Sequence, residues 1–339
     1  MERHIGDYHF IADPKTGMTA RWGKTLDDNP KFSPVPELAD ISISNYCTKG
    51  CDFCYKNSSS MGNIMSLDSY CKVLDALEHP IYGNVFQVAL GGGEPLEHPQ
   101  FREIISETIY RNIIPNFTTN GIHLNKEIAL YCKEKVGAVA ISTDNITNLN
   151  KRAINILLKA GIKTNIHYVL KNNNLYEAIN IILGKYDKEL EGVNAIIFLT
   201  FKPAGRGNNI YIIKEGFEYL DFLKAVKNKK SNIKIGFDAC FVPNLLYYGI
   251  CNTSVVDTCE GGFFSVYVDE NCNVSPCSFS GKKDIYSLND FDFYDIWLNK
   301  LKSFRERIVN NCKKQCAFKI DCKGFCPYYP QITTCYNEN

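Results

Sequence analysis

Residues 41–54 read ISISNYCTKGCDFC, in which a short strand candidate, Ile41–Ser44, leads directly into a loop with three cysteines. Cys47, Cys51 and Cys54 have the spacing C-x3-C-x2-C, and no fourth cysteine lies close to them in the sequence. Three thiolates can ligate three irons of a [4Fe–4S] cube and leave the fourth iron open to another ligand. An open metal position is typical of catalytic rather than structural metal sites. On spacing alone, a zinc site with a remote fourth ligand, or three unrelated thiols, stays an alternative.

From Ile41 onward, short apolar runs alternate with longer amphipathic stretches, which indicates successive strand–helix units. We predict strands over Ile41–Ser44, Val85–Leu90, Ile114–Thr118, Ala138–Ser142, Thr164–Leu170 and Ala195–Phe201. We predict helices over Leu67–Leu77 with Ser66 as its cap, Phe101–Arg111, Lys126–Lys135, Ile146–Ala160, Leu175–Tyr186 and Lys214–Asn228. Such units predict an α/β fold with a parallel sheet and external helices, closed or nearly closed into a barrel. Chemistry in these folds lies beyond the carboxyl ends of the strands, where the cysteine loop falls.

The chain divides into three parts by composition. In the extension formed by residues 1–40, His9–Ala12 and Met18–Trp22 are predicted to pair as a hairpin across Asp13–Gly17. Residues 41–235 carry the strand–helix units. Residues 236–339 are rich in Cys, Gly, Pro and aromatic residues and lack regular apolar periodicity. We therefore expect a second domain there, held together by bound metal.

The composition excludes several functional classes. The 339 residues include 38 Lys+Arg and 37 Asp+Glu, so the net charge of +1 gives no reason to expect a nucleic acid or an anionic membrane as partner. No apolar run of the roughly 18 residues that span a membrane occurs, and the first residues, MERH, lack the layout of a signal peptide. We therefore expect a cytoplasmic protein. Because cytoplasmic thiols stay reduced, the 15 cysteines indicate metal ligands rather than disulfides.

The cysteine loop and a second motif together resemble the radical S-adenosylmethionine (SAM) enzymes. The family signature is C-x3-C-x-aromatic-C, and Phe53 supplies the aromatic residue. A second family signature is matched by Gly92-Gly93-Glu94-Pro95 at the end of the second strand. The resemblance covers about residues 41–335 and implies a partial (β/α)6 TIM-like barrel. It also implies that SAM chelates the open iron and is cleaved reductively to methionine and a 5′-deoxyadenosyl radical, which takes a hydrogen atom from the substrate.

The resemblance further implies a set of SAM contacts at the strand ends. Glycines permit a close approach of the backbone, and a carboxylate suits the SAM ammonium group as a hydrogen-bond acceptor. Relatives also bind SAM at the end of strand four. On strand five, Asn165 would contact SAM if its face of the strand points inward. The loop after strand six resembles a Pro-x-Gly-Arg-Gly loop of relatives, which implies a contact near the adenosine or the substrate. An ordinary strand-end serine and a solvated arginine loop stay the alternative interpretations. The expected SAM-binding residues are Gly92, Gly93, Glu94, Ser142, Asn165 and Arg206.

The C-terminal cysteines resemble the SPASM domain, a module that binds auxiliary iron–sulfur clusters in peptide- and protein-modifying radical SAM enzymes. They follow the pattern Cys259-x12-Cys272-x4-Cys277, then Cys312-x3-Cys316-x5-Cys322-x3-Cys326, then Cys335. This chain departs from the family pattern twice. Cys272 stands where relatives have a hairpin glycine, which predicts a turn residue rather than a ligand. The gap after Cys312 is three residues rather than two, which puts the geometry there in doubt.

Carried over by position, the resemblance implies two auxiliary [4Fe–4S] clusters. The ligands implied for the first cluster are Cys259, Cys277, Cys326 and one upstream cysteine, either Cys240 or Cys251. We favour Cys240, which follows a strand-like segment. The ligands implied for the second cluster are Cys312, Cys316, Cys322 and Cys335. A pair of zinc sites with four thiolates each is the rival interpretation.

We therefore expect three [4Fe–4S] clusters and SAM as cofactors, with an external reductant such as flavodoxin or ferredoxin. The substrate class implied by the resemblance is a ribosomally made peptide or a protein side chain. The modification would be a crosslink, a thioether, an oxidation or an epimerisation that follows hydrogen abstraction. The sequence identifies no catalytic side chain. A sulfatase-maturating enzyme, a small-molecule radical SAM enzyme and a non-catalytic iron–sulfur electron carrier are the competing hypotheses.

Overall fold

The computed structural model describes residues 1–251, 256–309, 312, 316, 318 and 322–336. Three short strands, β1 (Glu2–Ile5), β2 (Tyr8–Ala12) and β3 (Thr19–Trp22), form a small antiparallel sheet. The main sheet is built on consecutive parallel strands, which are β4 (Leu38–Ser44), β5 (Gln87–Gly92), β6 (Ile114–Thr119), β7 (Val139–Thr143), β8 (Thr164–Leu170), β9 (Ala195–Thr200) and β10 (Lys234–Phe237).

Six of these strands, β4 to β9, are the predicted ones, and their ends shift by only a few residues. A further parallel strand, β10, pairs with β9 from Lys234↔Ala195 to Phe237↔Phe198. It corresponds to the strand-like segment before Cys240, but it was not among the six predicted strands because four residues are too few to show a clear period. The division of the chain at residue 235 stays a prediction, and β10 crosses that point.

The helices pack on one face of the parallel sheet. They are α1 (Leu67–Leu77), α2 (Phe101–Tyr110), α3 (Lys126–Cys132), α4 (Lys151–Lys159), α5 (Leu175–Ile182) and α6 (Phe217–Lys227). Side-chain caps set several starts. Ser66 accepts a hydrogen bond from the Ser69 N–H, as predicted, and Asn150 accepts one from the Ala153 N–H. The cap at Asn150 explains why α4 begins later than the predicted start at Ile146.

The cysteine-rich part continues the same sheet. β11 (Ser265–Val268) pairs parallel with β4, and β12 (Asn273–Ser275) and β13 (Tyr286–Ser287) follow it in antiparallel pairing. The helices of this part are α7 (Val242–Tyr247), α8 (Phe293–Asp295) and α9 (Lys302–Val309), with a π-helical turn at Ile296–Lys300. The C-terminal part is therefore hydrogen-bonded to the strand that carries the cysteine loop.

The two faces of the parallel sheet differ in chemistry. In β4, Ala39 and Ile41 belong to the core that the helices cover, whereas Asp40, Ser42 and Ser44 alternate with them on the opposite face. We call that opposite face the inner face. The alternation along the strands thus produces an apolar outer face, which the helices cover, and a polar inner face. The loops at the carboxyl ends of the strands lie next to the inner face.

The small sheet contains the hairpin that the sequence predicts. β2 and β3 pair from His9↔Trp22 to Ala12↔Thr19, and β1 adds a strand that was not predicted. Together with the main sheet these elements confirm the α/β fold with parallel strands and external helices. Among the described residues, no helix has the length and apolar character needed to cross a membrane.

Candidate active site at the cysteine loop

The cysteine loop leaves β4 at the carboxyl end of that strand, as predicted. The Cys47 N–H donates to the Ser59 carbonyl over 3.0 Å, and the Cys54 N–H donates to the Cys51 carbonyl over 3.3 Å. The three thiols are half-buried, and Cys51 interacts electrostatically with both others. Burial raises the pKa of the Cys47 and Cys51 thiols. A bound metal would be needed to hold them as thiolates near neutral pH.

Arg206 lies in the loop after β9 and holds the cysteine loop through hydrogen bonds. Its Nε donates to the Cys51 carbonyl over 2.8 Å, and its guanidinium also donates to the Ser58 carbonyl over 2.8 Å. Its own N–H donates to the Cys54 carbonyl over 3.0 Å. A Cβ on the neighbouring Gly205 would lie 2.4 Å from the Cys54 carbonyl oxygen, so only glycine allows this approach. Direct contact of Arg206 with SAM stays a prediction, while its hold on the loop is observed.

Glu97 holds the beginning of the same loop through hydrogen bonds from Thr48. Its carboxylate accepts hydrogen bonds from the Thr48 N–H over 3.0 Å and the Thr48 hydroxyl over 2.5 Å. His123 also bonds this carboxylate over 2.7 Å. Sequence analysis could not find this residue, because Glu97 belongs to no motif and approaches Thr48 only in the folded chain.

The aromatic residue of the cysteine motif contacts a buried ion pair. Lys171 Nζ lies 4.5 Å from the centre of the Phe53 ring and 2.5 Å from a carboxylate oxygen of Asp144, which follows β7. A cation over an aromatic face is attracted by the ring, and the ion pair fixes the lysine there. The end of β7 is thereby connected to the loop between Cys51 and Cys54.

The two glycines of the second motif lie against β4 and the start of the cysteine loop. The Gly93 N–H donates to the Ser44 carbonyl over 2.6 Å. A Cβ on Gly93 would lie 2.0 Å from the Tyr46 carbonyl oxygen, and one on Gly92 would lie 2.1 Å from the Ser44 carbonyl oxygen. Gly92 also has a φ of +108°, which L side chains rarely adopt. Both positions therefore require glycine for packing, whatever ligand the site takes.

Glu94 is buried and connects the second strand end to the third. Its carboxylate accepts hydrogen bonds from the Thr119 hydroxyl over 2.5 Å, the Asn120 N–H over 2.8 Å and the Leu96 N–H over 3.1 Å. Burial raises the pKa of Glu94, and these three donors oppose that effect. An ionised carboxylate has about four acceptor positions, so the observed bonds leave room for one further donor such as an ammonium group.

The predicted SAM contacts of strands four and five share the inner face. Ser142 of β7 is in register with His167 of β8, and Asn165 lies two positions before that histidine on the same side. Asn165 accepts a hydrogen bond from Asn194 over 2.7 Å. Burial lowers the pKa of His167 to about 4, so this imidazole is neutral at physiological pH. The structure thus brings Ser142 and Asn165 to one surface, and their contact with SAM stays a prediction.

A charged cluster on the inner face was not foreseen from the sequence. Lys56, two residues after Cys54, donates to Glu270 over 2.8 Å and to the Tyr267 hydroxyl over 2.9 Å. Asp40 of β4 lies within electrostatic range of this lysine. Burial raises the pKa of Asp40 to about 7, and Lys56 only partly opposes the rise. An acidic group that titrates near neutrality therefore lies beside the site.

Four C-terminal cysteines come together in the fold. Cys240 interacts electrostatically with Cys259 and Cys326, and Cys277 interacts with the same two. Burial raises the pKa of Cys259 to about 11 and that of Cys277 to about 12. For Cys251, burial alone shifts the thiol pKa, and no other cysteine contributes. These observations support Cys240 over Cys251, although the ligand assignment itself stays a prediction.

Other C-terminal cysteines have their own surroundings. Cys322 interacts electrostatically with Cys312 and Cys316, and Cys335 interacts electrostatically with Tyr219 of α6. Cys272 occupies the turn between β11 and β12 with a φ of +62°, in the left-handed region that favours glycine. That conformation is the one a hairpin turn requires. Cys272 is therefore a turn residue, as predicted.

The donor sets fit iron–sulfur clusters better than single metal ions. Among the described residues, no three Cys, His, Asp or Glu side chains converge on the position of one ion. A cube presents its irons at separate corners, so its thiolates need not meet at one point. Groups of neighbouring cysteine thiols are the ligands that such clusters take.

Comparison with known proteins finds a family match within the chain and similar proteins over most of its length. Residues 41–183 match the Radical SAM superfamily. The mycofactocin maturase MftC of Mycobacterium tuberculosis (strain ATCC 25618 / H37Rv) is 22% identical over 334 residues, which cover 91% of this chain and 83% of the maturase. SuiB of Streptococcus suis, solved with its precursor peptide SuiA, superposes with a TM-score of 0.66 at 15% identity, over 87% of this chain and 72% of SuiB.

A second solved structure extends the likeness. The protein anSMEcpe, solved with bound AdoMet and the Kp18Cys peptide, superposes with a TM-score of 0.63 at 19% identity, over 86% of this chain and 89% of that one. At these identities the superpositions show a shared fold that includes the cysteine-rich part. The cysteine loop and the Gly-Gly-Glu-Pro motif both lie inside the matched residues 41–183. Residues 41–183 therefore match a Radical SAM domain, and over most of its length the chain is similar to the maturase MftC and shares a fold with SuiB and anSMEcpe.

Proposed function

We propose that this enzyme cleaves SAM reductively and uses the resulting 5′-deoxyadenosyl radical to abstract a hydrogen atom from a peptide or protein side chain. The observation that carries the proposal is the cysteine loop. Its three thiols are gathered at the carboxyl end of β4, and Arg206 and Glu97 hold the loop backbone in place. Three protein ligands would leave one iron of a cube open to SAM.

The residues of this chain would hold the cofactors in distinct ways. Cys47, Cys51 and Cys54 would ligate the cluster, which, when bound, supplies the electron that splits a carbon–sulfur bond of SAM. The backbone at Gly92 and Gly93 and the remaining acceptor position of Glu94 would take the SAM ammonium group. The inner-face side chains Ser142 and Asn165 would bind the rest of SAM, and the fold would keep water away from the radical.

A peptide substrate is supported by the similar proteins. MftC is a maturase, SuiB has been solved with a precursor peptide, and anSMEcpe has been solved with a peptide bound. A buried carboxyl group, that of Asp40, beside the site offers a polar contact for a substrate group on the inner face. The sulfatase-maturating and small-molecule activities remain the competing hypotheses.

We further propose two auxiliary clusters, so that the loaded enzyme carries three. Cys240, Cys259, Cys277 and Cys326 would hold the first one, because these thiols neighbour one another in the fold. The second would be held by Cys312, Cys316, Cys322 and Cys335. Full ligation by thiolates suits electron transfer, with flavodoxin or ferredoxin as the external reductant. We propose a cytoplasmic location, where such clusters and reductants occur, with neither nucleic acid nor membrane as partner.

Isotope transfer tests the substrate class. Candidate precursor peptides encoded beside this gene would be made with deuterated side chains and incubated anaerobically with reconstituted enzyme, SAM and dithionite. Deuterium in the 5′-deoxyadenosine would show that the radical takes hydrogen from the peptide. Release of 5′-deoxyadenosine without deuterium from any candidate, together with deuterium uptake from a small molecule, would overturn the peptide assignment.

A further inference from the structure

A buried lysine beside the first auxiliary cysteine group has no role in the function proposed above. Lys202 follows β9 and is 5% exposed. Its Nζ donates to the Thr200 carbonyl over 3.1 Å and to the Asp238 carboxylate over 3.1 Å, and it lies 4.5 Å from the centre of the Phe279 ring. Burying a lysine is costly, so a fully paired cation in this place needs an explanation.

The charge of this lysine acts on the cysteines. Lys202 interacts electrostatically with Cys240 and Cys326, after its stronger interaction with Asp238. The attraction between Lys202 and the ionised Cys240 thiol is larger than the repulsion between Asp238 and that thiol. The geometry places the ammonium group beside these cysteines, because Asp238 precedes Cys240 by two residues and Phe279 follows Cys277 by two residues. A second lysine, Lys323, donates to the Cys259 carbonyl over 3.0 Å on another side of the group.

A fixed positive charge near a bound cluster changes the reduction potential of that cluster. Four thiolates around an oxidised cube give a net charge of about −2, and the added electron makes it about −3. In a buried site these charges are screened weakly. A nearby fixed positive charge stabilises the reduced form more than the oxidised form, and so it raises the reduction potential of the cluster.

We propose that Lys202 is the charge-compensating residue of the auxiliary cluster held by Cys240, Cys259, Cys277 and Cys326, and that it raises the reduction potential of this cluster. Asp238 fixes the lysine with its ammonium group toward the thiols. The proposal rests on the proposed function, since it requires the auxiliary cluster to be present. The redox step is the uptake of one electron from an external reductant by the oxidised cube.

The test measures potentials rather than turnover. The triple variant Cys47/Cys51/Cys54→Ala removes the SAM-binding cluster and leaves only auxiliary signals. In this background, Lys202→Met, Lys202→Arg and the double variant Lys202→Met/Asp238→Asn would be reconstituted anaerobically. Each would be titrated with dithionite and followed by electron paramagnetic resonance, with iron counted. Lys224→Met removes an exposed lysine whose side chain is 74% accessible, and it is the matched control.

Lys202→Met is expected to shift one auxiliary midpoint to lower potential. The expected shift is at least tenfold in the ratio of oxidised to reduced cluster, about 59 mV for one electron. The double variant should shift in the same direction, because the lysine acts more strongly than Asp238 on Cys240. Lys202→Arg and Lys224→Met should stay close to the parent potential.

Each other outcome has a defined meaning. Unchanged midpoints in Lys202→Met and in the double variant, at full iron content, would overturn the role of Lys202. Loss of iron in these two variants but not in Lys202→Arg would support it, since the charge is then needed to bind the cluster at all. Loss of iron in Lys202→Arg as well would contradict it. If the triple-variant parent itself holds no auxiliary irons, the proposed function fails, not the role of Lys202 alone.

Discussion

The Nε of Arg206 donates to the carbonyl oxygen of Cys51 over 2.8 Å, which joins the loop after β9 to the cysteine loop across 155 residues of sequence. The same guanidinium reaches the Ser58 carbonyl and the Asn57 side chain. The cysteine loop has no helix or strand of its own between Tyr46 and Ser59, so contacts of this kind fix its shape. Cluster binding should therefore depend on a residue that touches no thiol.

Replacing Arg206 tests this dependence. Arg206→Ala removes three side-chain hydrogen bonds from the loop and leaves two carbonyls without that donor. We expect the loss of about four of about twelve irons after anaerobic reconstitution, and at least a tenfold drop in 5′-deoxyadenosine formation. The matched control is Arg102→Ala, an exposed arginine that pairs with Glu127. Full iron content in Arg206→Ala would show that the loop keeps its shape without the clamp.

Two neighbouring glycines offer a paired test of packing at the second motif. A Cβ on Gly93 would lie 2.0 Å from the Tyr46 carbonyl oxygen, whereas one on Gly91 would have no atom within 4 Å. Gly93→Ala should therefore lower the free energy of unfolding by about 2 kcal/mol or more, and Gly91→Ala by less than about 1 kcal/mol. Denaturant unfolding of both variants measures this, and equal losses would mean that the backbone at Gly93 can move aside.

The pKa of Asp40 predicts a pH dependence of stability. Its folded value of about 7 lies above the ordinary value of 3.8, so the folded protein keeps a proton that the unfolded chain loses. Stability is therefore lost as the pH rises toward 7, by at most about 4 kcal/mol from this group. Asp40→Asn should gain stability relative to the parent protein at pH 8, and clearly less at pH 5, where only part of this free energy has been lost.

Thermal unfolding at these two pH values measures the difference. Asp221→Asn, at a carboxylate that is 61% accessible and pairs with Lys224, is the control and should show no such change. A melting temperature of Asp40→Asn that differs from the parent by the same amount at both pH values would argue against a shifted carboxyl group at this position.

Iron content distinguishes the two candidates for the upstream auxiliary ligand. Cys240 interacts with Cys259 and Cys326, and Cys251 shows no such neighbours. We expect Cys240→Ala to lose or destabilise one auxiliary cube of about four irons, and Cys251→Ala to retain all irons. The reverse result, with iron lost only in Cys251→Ala, would reassign the ligand.

Much of the barrel could be predicted from local periodicity. The strand Thr164–Leu170 was placed at its observed ends, since its buried and inward-facing residues alternate over seven positions. Ser66 was recognised as a cap because capping depends on the next three residues alone. The predicted start of α4 was wrong, because Asn150 caps that helix and it begins at Lys151 rather than at Ile146.

The contacts that shape the site could not be predicted, because they join residues far apart in the chain. Glu97 meets Thr48, Lys171 meets Phe53, and the tail strand β11 joins β4, with no pattern in the sequence that pairs them. The sequence identifies the cysteines and glycines, whose chemistry is distinctive. It does not identify the side chains that orient them, since those are ordinary charged residues until the fold brings them together.

The central claim is that an iron of the front cluster is left open and binds a SAM molecule that is then split. The most direct test is 5′-deoxyadenosine formation by the reconstituted enzyme with SAM and dithionite, compared with the Cys47/Cys51/Cys54→Ala variant. We predict product from the wild-type enzyme, and none from the triple variant, which keeps its auxiliary irons. Equal product from both, or none from a wild-type enzyme with about twelve irons, would contradict the account.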